Sequence, residues 1–558
     1  MSINKEKIYT NLIIFFFSLF SFIYFTGGTI LFVENTEWLL ADDSKYHYLN
    51  WLFFQNTPFF QFPIFANPAF GMEFASSLSL NDSIPIMALI FKVFKSLLPL
   101  ESQYFGLWIF ACFLLQMFLA FNLLRKFSTK INLCLIFSIF FLIAPVFLWR
   151  LWGHYALLAQ WLILLSFILY FDKEFRIIKW VMLIILGFLI NPYLSAMLYP
   201  IFFADIYNRY KSKEINSIGI YKSVFLLLIF TAISLSLFGY LTIGSSVGTG
   251  GYSNYRFNLN RFFDSDTLWS NIMPDLNSIA MDYEGFAFLG VGIIFLLSIV
   301  IIDLITTKNI FQRDFKKKLT ILFIPCLIML FFALTNQISF NQHVIFEYEI
   351  PLILKPFTKI FRSAGRFSWP MYYFLLLLIF LIVSSSKRSK SYLYILPLLL
   401  GLQIYDTSDA ANMFRIKMSN PRFYWRNIGG DEKVYKDLLI YWETPLKSNE
   451  WKDFNIKYKN FIYVYPQRRT DKAFPIALHA AKNSMSINFG YFSRYSKQKA
   501  SDSKNKISYE LLEGNFNKKS VYIVADDKVW RFLLKQDNSK HLIKELDGYR
   551  IFAPDYFN

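Results

Sequence analysis

Two adjacent aspartates, Asp42 and Asp43, follow the first long apolar segment of the chain. The pattern of residues 43–54 predicts a helix. On that helix Asp43, His47 and Asn50 share a face, because residues three and four apart are neighbours on a helix surface. A carboxylate there can deprotonate a hydroxyl group or bind a divalent cation. The alternative is that one of the two aspartates is a helix N-cap, a position that Asp favours.

The other face of the same predicted helix is apolar and carries Tyr46, Leu49 and Phe53. A helix with one polar and one apolar side favours a position along a membrane surface, here with its polar side towards a cavity. Acidic side chains at membrane level are costly and usually functional, so we predict that at least one of the two aspartates is catalytic. Asp43 is also the predicted metal ligand, for Mg or Mn, and His47 is a predicted substrate contact.

Asp82, in "SLNDSIP", is a second acidic candidate. We predict that it either contacts substrate or caps the helix whose first turn contains Pro85, and the pattern favours the cap. Residues 83–98 are short and carry Lys92 and Lys95, so they predict an interfacial helix rather than a membrane crossing.

Four basic residues recur at helical spacing ahead of a late apolar segment: Lys355, Lys359, Arg362 and Arg366. Residues at these spacings share one face of a helix. Such a cluster predicts an anionic ligand, because arginine suits bidentate contact with phosphate. The alternative is that these side chains extend to lipid headgroups. We therefore predict that Lys359, Arg362 and Arg366 bind substrate.

Three further substrate-binding candidates lie near predicted helix ends. Glu284 precedes an apolar segment and is predicted to be either a third acid of the site or a solvated acid at a helix start. His154 and Tyr155 lie at another turn, near Arg150. They are predicted either to line the same cavity or to have a surface role.

The composition predicts a polytopic membrane protein. Of 558 residues, 55% are hydrophobic and only 17% are charged, whereas soluble domains average about 25% charged residues. The net charge of +18 does not indicate nucleic-acid binding, because the basic residues mostly flank apolar segments. The three cysteines lie inside apolar segments, which excludes a disulfide framework.

Apolar segments of membrane-crossing length predict about eleven spans. The long run 177–207 is divided at "NPY", because Pro192 lacks a backbone donor and disfavours helix at Asn191. Basic connections predict a cytoplasmic N-terminus. The predicted spans are residues 8–33, 104–124, 131–149, 154–171, 177–190, 194–207, 221–242, 285–306, 319–338, 369–385 and 391–407.

Two domains are predicted. Residues 1–407 form a transmembrane domain, whose first outer loop is 34–103. Residues 408–558 form an extracytoplasmic α/β domain, because the short β-rich runs "NFIYVYP", "VYIVA" and "GYRIFAP" alternate with helical and turn segments.

An acid directly after the first span, surface helices, a helical hairpin at "NPY" and a C-terminal outer domain resemble the GT-C superfamily. These are membrane glycosyltransferases that depend on polyprenyl phosphate. More narrowly, "HYLNWLFFQNTPF", "NPAFGMEFASSLSLNDSIP", "YFGLW", "YEGFAFLG", "FRSAGRFSWP" and "AAKNSMSINFGYFSR" resemble an uncharacterised bacterial multi-pass membrane family placed near those enzymes. The adjacent Asp42 and Asp43 stand where the superfamily often has a spaced acidic pair.

The resemblance implies an inverting glycosyltransferase in a bacterial inner membrane. It would move a sugar from a polyprenyl-phosphate donor to an envelope glycan or lipid acceptor at the outer face, with Asp42 or Asp43 as base or metal ligand. Arg362 and Arg366 would hold the departing phosphate. One alternative is a transporter or flippase of lipid-linked sugars, which predicts ionisable residues deep within spans. The other is a non-catalytic envelope assembly protein.

Overall fold

The chain is mostly helical, with a small sheet near its C-terminus. A computed structural model describes residues 2–74, 76–242, 251–279, 281–306, 311–465, 471–492, 495–536 and 539–557. Up to residue 406 its helices are α1 (Ser2–Thr26), α2 (Ser44–Phe54), α3 (Pro85–Val93), α4 (Phe105–Arg125), α5 (Ile131–Leu142), α6 (Pro145–Leu148), α7 (Trp161–Tyr170), α8 (Ile177–Phe188), α9 (Pro192–Lys211), α10 (Ser217–Leu237), α11 (Val291–Thr306), α12 (Arg313–Leu334), α13 (Lys355–Ile360), α14 (Trp369–Ser385) and α15 (Ser389–Asp406).

A short antiparallel hairpin and a mixed five-stranded sheet complete the fold. The sheet has the order β4-β3-β5-β7-β6, with β3 parallel to β4 and β5, and with β7 antiparallel to β5 and β6. The three predicted β-rich runs are confirmed as β3, β5 and β7. The remaining elements are β1 (Gln337–Phe340), β2 (His343–Glu347), α16 (Ser408–Ser419), α17 (Pro421–Asn427), α18 (Glu432–Trp442), α19 (Glu450–Lys457), β3 (Asn460–Tyr463), α20 (Phe474–Lys482), β4 (Ser486–Ile487), α21 (Lys497–Leu512), β5 (Ser520–Ile523), α22 (Asp527–Leu533), β6 (Leu542–Leu546) and β7 (Tyr549–Ala553).

Among the described residues, five helices are long and apolar enough to cross a membrane. A sixth candidate combines α5 with the following helical residues, across a bend of 40°. Each of the eleven predicted spans contains a helix, but several of these helices are short. The five long candidates are Lys5–Thr26, Phe105–Arg125, Ser217–Leu237, Arg313–Leu334 and Ala364–Ser385.

Several predicted spans contain helices that end earlier than the apolar pattern indicates, and two of them end for the same reason. The helix of span 8–33 ends at Thr26, where Gly27 and Gly28 both take a positive φ. The helix of span 319–338 ends at Leu334, because Thr335 takes a φ of 63° and a strand follows. Both corrections have the same cause: a left-handed residue breaks the helix inside an apolar run.

The break at "NPY" forms the predicted helical hairpin between α8 and α9. Asn191 is the N-cap of α9, and its side-chain oxygen accepts a hydrogen bond from Tyr193 N at 2.9 Å. The two helices approach closely at Gly187, where an added Cβ would be 2.9 Å from Ser195 Cα. A glycine is therefore required at the contact.

The chain divides into two compact units. The helical unit comprises Met1–Leu31, Phe105–Ala232 and Gly250–Asn420. The sheet unit comprises Phe32–Tyr104, Ile233–Thr249 and Pro421–Asn558. Most of the predicted outer loop 34–103 thus clusters with the C-terminal residues, whereas α16 clusters with the helical unit.

Backbone hydrogen bonds explain why residues of the predicted outer loop 34–103 belong to the sheet unit. Gly71 N donates to Ile487 O, and Ile487 N donates to Ala69 O, both at 2.9 Å. Phe70 therefore pairs in parallel with Ile487 in β4 and extends the sheet at its edge. Long-range pairing of this kind leaves no local pattern in the sequence.

Helix α2 is buried along its whole length, so the prediction of a surface helix is wrong. Several of its polar atoms form hydrogen bonds inside the sheet unit. Trp51 Nε1 donates to Ser102 O at 2.9 Å, and Tyr48 OH donates to Glu101 O at 2.8 Å. The polar face is therefore an internal hydrogen-bonding surface.

Helix α3 is too short to cross a membrane, as predicted for residues 83–98, and Pro85 is its first residue. Ile84, with a φ of 52°, occupies the N-cap position. The prediction that Asp82 caps this helix is therefore wrong, because the chain makes a left-handed turn between Asp82 and the helix.

The helical unit encloses a chain of hydrogen bonds that links three apolar elements. Tyr373 in α14 accepts from Gln116 Nε2 at 2.9 Å and donates to Gln160 Oε1 at 2.6 Å. All three side chains are buried. Because buried polar groups are costly without partners, this chain fixes how α4 and α14 pack together.

We expect Gly187→Ala to lower the melting temperature, because its Cβ would push α8 and α9 apart at Ser195. The matched control is Gly401→Ala in α15, where an added Cβ has no neighbour within 4 Å. The control should melt at or above the wild-type temperature, because alanine favours a helix over glycine. Thermal unfolding of the purified proteins in detergent measures both. Equal melting temperatures would contradict the close contact.

Candidate functional site

In the helical unit, two 3-10 helices cross at a pair of glycines. The two helices are Asp282–Gly285 and Ala364–Ser368. An added Cβ on Gly365 would be 2.6 Å from Gly285 Cα, which is closer than real Cβ atoms approach. Only glycines permit this crossing, and it determines the position of the residue next to each of them.

The neighbours of these glycines, Glu284 and Arg366, form a buried bidentate ion pair. Arg366 Nε donates to Glu284 Oε2 at 2.9 Å, and Arg366 Nη2 donates to the other carboxylate oxygen. Arg150 Nη1 donates to Glu284 Oε2 at 2.7 Å. We call Arg150, Glu284 and Arg366 the buried triad; each residue is at most 6% exposed.

The charges of the buried triad do not cancel. Two guanidinium groups and one carboxylate leave a net charge of one positive unit. Burial alone would raise the pKa of Glu284, but Arg366 and Arg150, and more weakly His154, hold this pKa well below its ordinary value. Glu284 is therefore a carboxylate at neutral pH.

Aromatic rings surround the cations of this region. The Arg366 guanidinium lies 4.8 Å from the ring centre of Tyr193, and that of Arg150 lies 5.1 Å from Trp369. Arg362 lies 5.8 Å from the ring centre of Tyr255. Ring faces attract cations, so these contacts orient the guanidinium groups.

The predicted basic face does not form on one helix. Helix α13 ends at Ile360, and the backbone at Phe361 leaves the helical region. Lys359 is exposed on α13, Arg362 is half-buried beyond it, and Arg366 is buried in the crossing. The prediction of one basic helical face is therefore wrong, because α13 ends before Arg362 and Arg366.

Other predicted residues of the helical unit lie deeper than expected. Glu284 is buried, so the interpretation as a solvated helix-start acid is wrong. Tyr155 is 1% exposed, so a surface role is also wrong; its carbonyl accepts a hydrogen bond from Trp108 Nε1 at 2.8 Å. His154 is half-buried and acts electrostatically on Glu284.

A further buried arginine, Arg261, anchors the crossing and was not found from the sequence. Its Nη1 donates to Asp264 Oδ2 and its Nη2 donates to Ser278 Oγ, both at 2.7 Å. It also pairs with Asp282, two residues before Glu284. The only sequence signal was an arginine among aromatic residues, in "LNRFFD".

In the sheet unit, the two adjacent aspartates remain accessible. Asp42 and Asp43 are half-buried, whereas every residue of α2 is buried. Asp43 occupies the N-cap position, but its side chain makes no capping hydrogen bond, so the capping interpretation is wrong for Asp43. The backbone oxygen of Asp43 accepts a hydrogen bond from Tyr46 N at 3.1 Å, and this bond fixes Asp43 to the start of the helix.

A cation lies beside the aspartates in an aromatic environment. Lys45 is buried, and its Nζ lies 4.5 Å from the ring centres of both Tyr46 and Tyr441. Tyr46 stacks on Tyr491 at 4.4 Å. Burial and the charge of Asp42 raise the pKa of Tyr424 to about 12.

His47 and the segment of Asp82 are brought together in the sheet unit. Ser83 Oγ donates to His47 O at 3.1 Å and accepts from Asn50 Nδ2 at 3.2 Å. His47 is buried and Asp82 is half-buried. A ring nitrogen of His47 and a carboxylate oxygen of Asp82 lie within 4.8 Å of each other.

Comparison with protein families covers most of the chain. The model of a domain of unknown function, DUF6311, matches residues 15–408. The chain belongs to this family. A second model, the DUF6311 C-terminal domain, matches residues 450–554. No curated protein matches the chain. In this DUF6311 member, the buried triad lies in the first matched region and the five-stranded sheet lies in the second.

We expect Glu284→Gln to lower the free energy of unfolding by roughly 3–5 kcal/mol, because it leaves two buried arginines without a carboxylate. Thermal or chemical unfolding in detergent measures the loss. The control is Glu174→Gln, which removes an exposed partner of Arg176. That substitution should change little, because exposed ion pairs contribute little.

The stability gap between wild type and Glu284→Gln should depend on pH. The folded-state pKa of Glu284 is lowered from its ordinary value of 4.5. A lowered pKa stabilises the folded state above the unfolded pKa, and this contribution is lost as pH falls. The difference in stability should therefore have its full size above about pH 4.5 and should decrease below that pH. A gap that widens with acid would contradict the ion pairing.

Proposed function

We propose that this DUF6311 member is a GT-C-like, inverting membrane glycosyltransferase. It takes a sugar from a polyprenyl-phosphate donor at the outer face of a bacterial inner membrane. The acceptor is a glycan or lipid of the cell envelope. In this proposal the chain crosses the membrane about eleven times, its N-terminus is cytoplasmic and its C-terminal α/β domain is extracytoplasmic.

The observation that supports the chemistry best is the accessibility of Asp42 and Asp43 at the start of the buried helix α2. Catalytic groups need a rigid structural support and must be accessible to the substrate. The packing of α2 makes the support rigid, and the carboxylates, which are only half-buried, are accessible. The Glu284 carboxylate of the buried triad is bound by two arginines, which suits it to a structural role.

The proposed step is a single displacement. One aspartate carboxylate takes the proton from an acceptor hydroxyl group, and that oxygen bonds to C1 of the sugar. The bond between C1 and the phosphate oxygen breaks, and polyprenyl phosphate leaves with the electron pair. Because attack and departure occur on opposite faces of C1, the configuration inverts.

The leaving phosphate requires positive charge. The buried triad carries a net positive charge, and Arg362 lies four residues before Arg366 in the same segment. We assign Arg362 and Lys359, which are more accessible than Arg366, to direct contact with the phosphate. Arg366 then acts mainly by holding Glu284 and by its charge. If Mg²⁺ or Mn²⁺ participates, Asp43 is its proposed ligand, with Asp42 beside it.

The five long apolar helices support a place in the membrane. The basic residues between apolar segments support the cytoplasmic N-terminus. Membrane lipids are then the immediate surroundings of the helical unit. A lipid-linked donor is consistent with that setting, because it diffuses in the bilayer.

We expect the Asp42→Asn/Asp43→Asn double variant to lose glycosyl transfer by at least about 100-fold, since a positioned base contributes about 10²–10⁴ in rate. Mass spectrometry of envelope glycans and lipids, in a deletion strain that expresses each variant, identifies the product and measures its amount. The single variants show which aspartate is the base.

The matched control is Asp502→Asn, an exposed aspartate of α21 in the same sheet unit. It should restore the product like wild type, at equal protein level. Full product with the double variant would refute the catalytic role of the aspartates. In that case a glycan that changes on deletion would indicate an assembly protein, and an accumulated lipid-linked sugar would indicate a flippase.

A further inference from the structure

An aromatic loop of the sheet unit, residues 58–63, presents three phenylalanines to the exterior. Phe60 is 92% exposed, Phe62 is 72% exposed and Phe59 is about half exposed. Phe59 and Phe60 pack edge to face, with ring centres 5.1 Å apart. Such exposure of large aromatic residues in one loop is unusual on a surface that contacts water.

The backbone of this loop is held firmly, so its aromatic side chains are not exposed through loss of structure. Gln61 Nε2 donates to Ala66 O at 2.8 Å and to Ile64 O at 3.0 Å. From the adjacent helix α3, Lys92 Nζ donates to Thr57 Oγ1 at 2.6 Å and to Pro58 O at 3.0 Å. These bonds connect the aromatic loop to α3.

The neighbouring end of α3 and the turn after it are also apolar and exposed. Lys92 points inward and lies 4.1 Å from the ring centre of Phe54, while other side chains of this segment point outward. The outward residues are Ile90, Val93, Phe94 and Leu97, and the last of these is 80% exposed. Loop and helix thus form one apolar surface, which we call the aromatic wedge: Phe59, Phe60, Phe62, Ile90, Val93, Phe94 and Leu97.

We propose that the aromatic wedge inserts into the interfacial region of a lipid bilayer and anchors the sheet unit to it. Phenylalanine and leucine on one side of a short helix, with lysines beside them, are the composition of an interfacial segment. Lys95 lies between Phe94 and Leu97, where its charge can meet lipid phosphate.

Chain connectivity favours a bilayer over a protein partner. Residues 98–104 alone separate the wedge from α4, an apolar helix long enough to cross a membrane. That connection spans at most roughly 25 Å when fully extended. A membrane that contains α4 therefore lies within reach of Leu97, whereas a protein partner would have to exclude lipid from the same region.

This inference does not depend on glycosyl transfer. The anchor would hold the sheet unit, which contains Asp42 and Asp43, at the membrane surface. A lipid-linked substrate presents its phosphate at that depth. If the chain is not a transferase, the wedge still inserts, so the two proposals fail separately.

Site-directed labelling tests the wedge in the full-length protein. The native cysteines, Cys112, Cys134 and Cys326, are fully buried, so a new surface cysteine can be labelled selectively. The test variants are Phe60→Cys and Phe62→Cys, each carrying an environment-sensitive fluorophore. Ile456→Cys is the matched control, because Ile456 is an apolar residue of the sheet unit outside the wedge and is 84% exposed.

The labelled proteins are reconstituted into vesicles of phosphatidylethanolamine and phosphatidylglycerol, with and without brominated acyl chains. We expect blue-shifted emission at positions 60 and 62, with at least about twofold quenching by brominated lipid, and neither effect at 456. Emission from all three positions that is equally insensitive to brominated lipid would overturn the proposal. Blue-shifted emission at 60 without lipid quenching would also overturn it and would indicate a protein contact.

Discussion

The Glu284 carboxylate, buried between Arg150 and Arg366, is the interaction on which the helical unit depends most. A buried cation without a partner is strongly destabilising, so the three side chains must remain together. Their segments meet at Gly285 and Gly365, where no Cβ fits. The apolar helices α11 and α14 begin shortly after these two segments, so the crossing also determines where both helices start.

The two sets of carboxylates in this chain have different physical roles. Glu284 accepts hydrogen bonds from two arginines and stays ionised because of them, so it is suited to structure and to maintaining positive charge nearby. Asp42 and Asp43 stay partly exposed at the start of a rigid helix. In the proposed function, phosphate departure would require fixed positive charge, and proton transfer would require an accessible base.

Local patterns in the sequence predicted local structure well. The break at "NPY" and the strands β3, β5 and β7 follow from proline chemistry and from short β-rich runs. The pattern also predicted a helix at residues 43–54, which the structure has at Ser44–Phe54, but not its burial. Its surroundings include residues such as Tyr491, more than 400 positions later in the chain, and a periodicity shared with surface helices does not encode such partners.

The site was predictable in its residue types but not in its geometry. The spacing of Lys355, Lys359, Arg362 and Arg366 predicted a single helical face, but α13 ends at Ile360. Arg366 lies instead at the crossing of Gly285 and Gly365. Glycine spacing carries no signal for such a crossing. The role of Arg150 followed only from its contact with Glu284, although a lone arginine within an apolar run is a usable clue.

The central claim of the proposed function is that Arg362 binds the departing phosphate and that Asp42 or Asp43 takes the proton. Equilibrium binding of a short-chain polyprenyl phosphate to the purified protein tests this most directly. The account predicts that Arg362→Gln weakens binding about tenfold or more, whereas Asp42→Asn/Asp43→Asn binds like wild type. Unchanged binding by Arg362→Gln, together with lost binding in the aspartate variant, would contradict it.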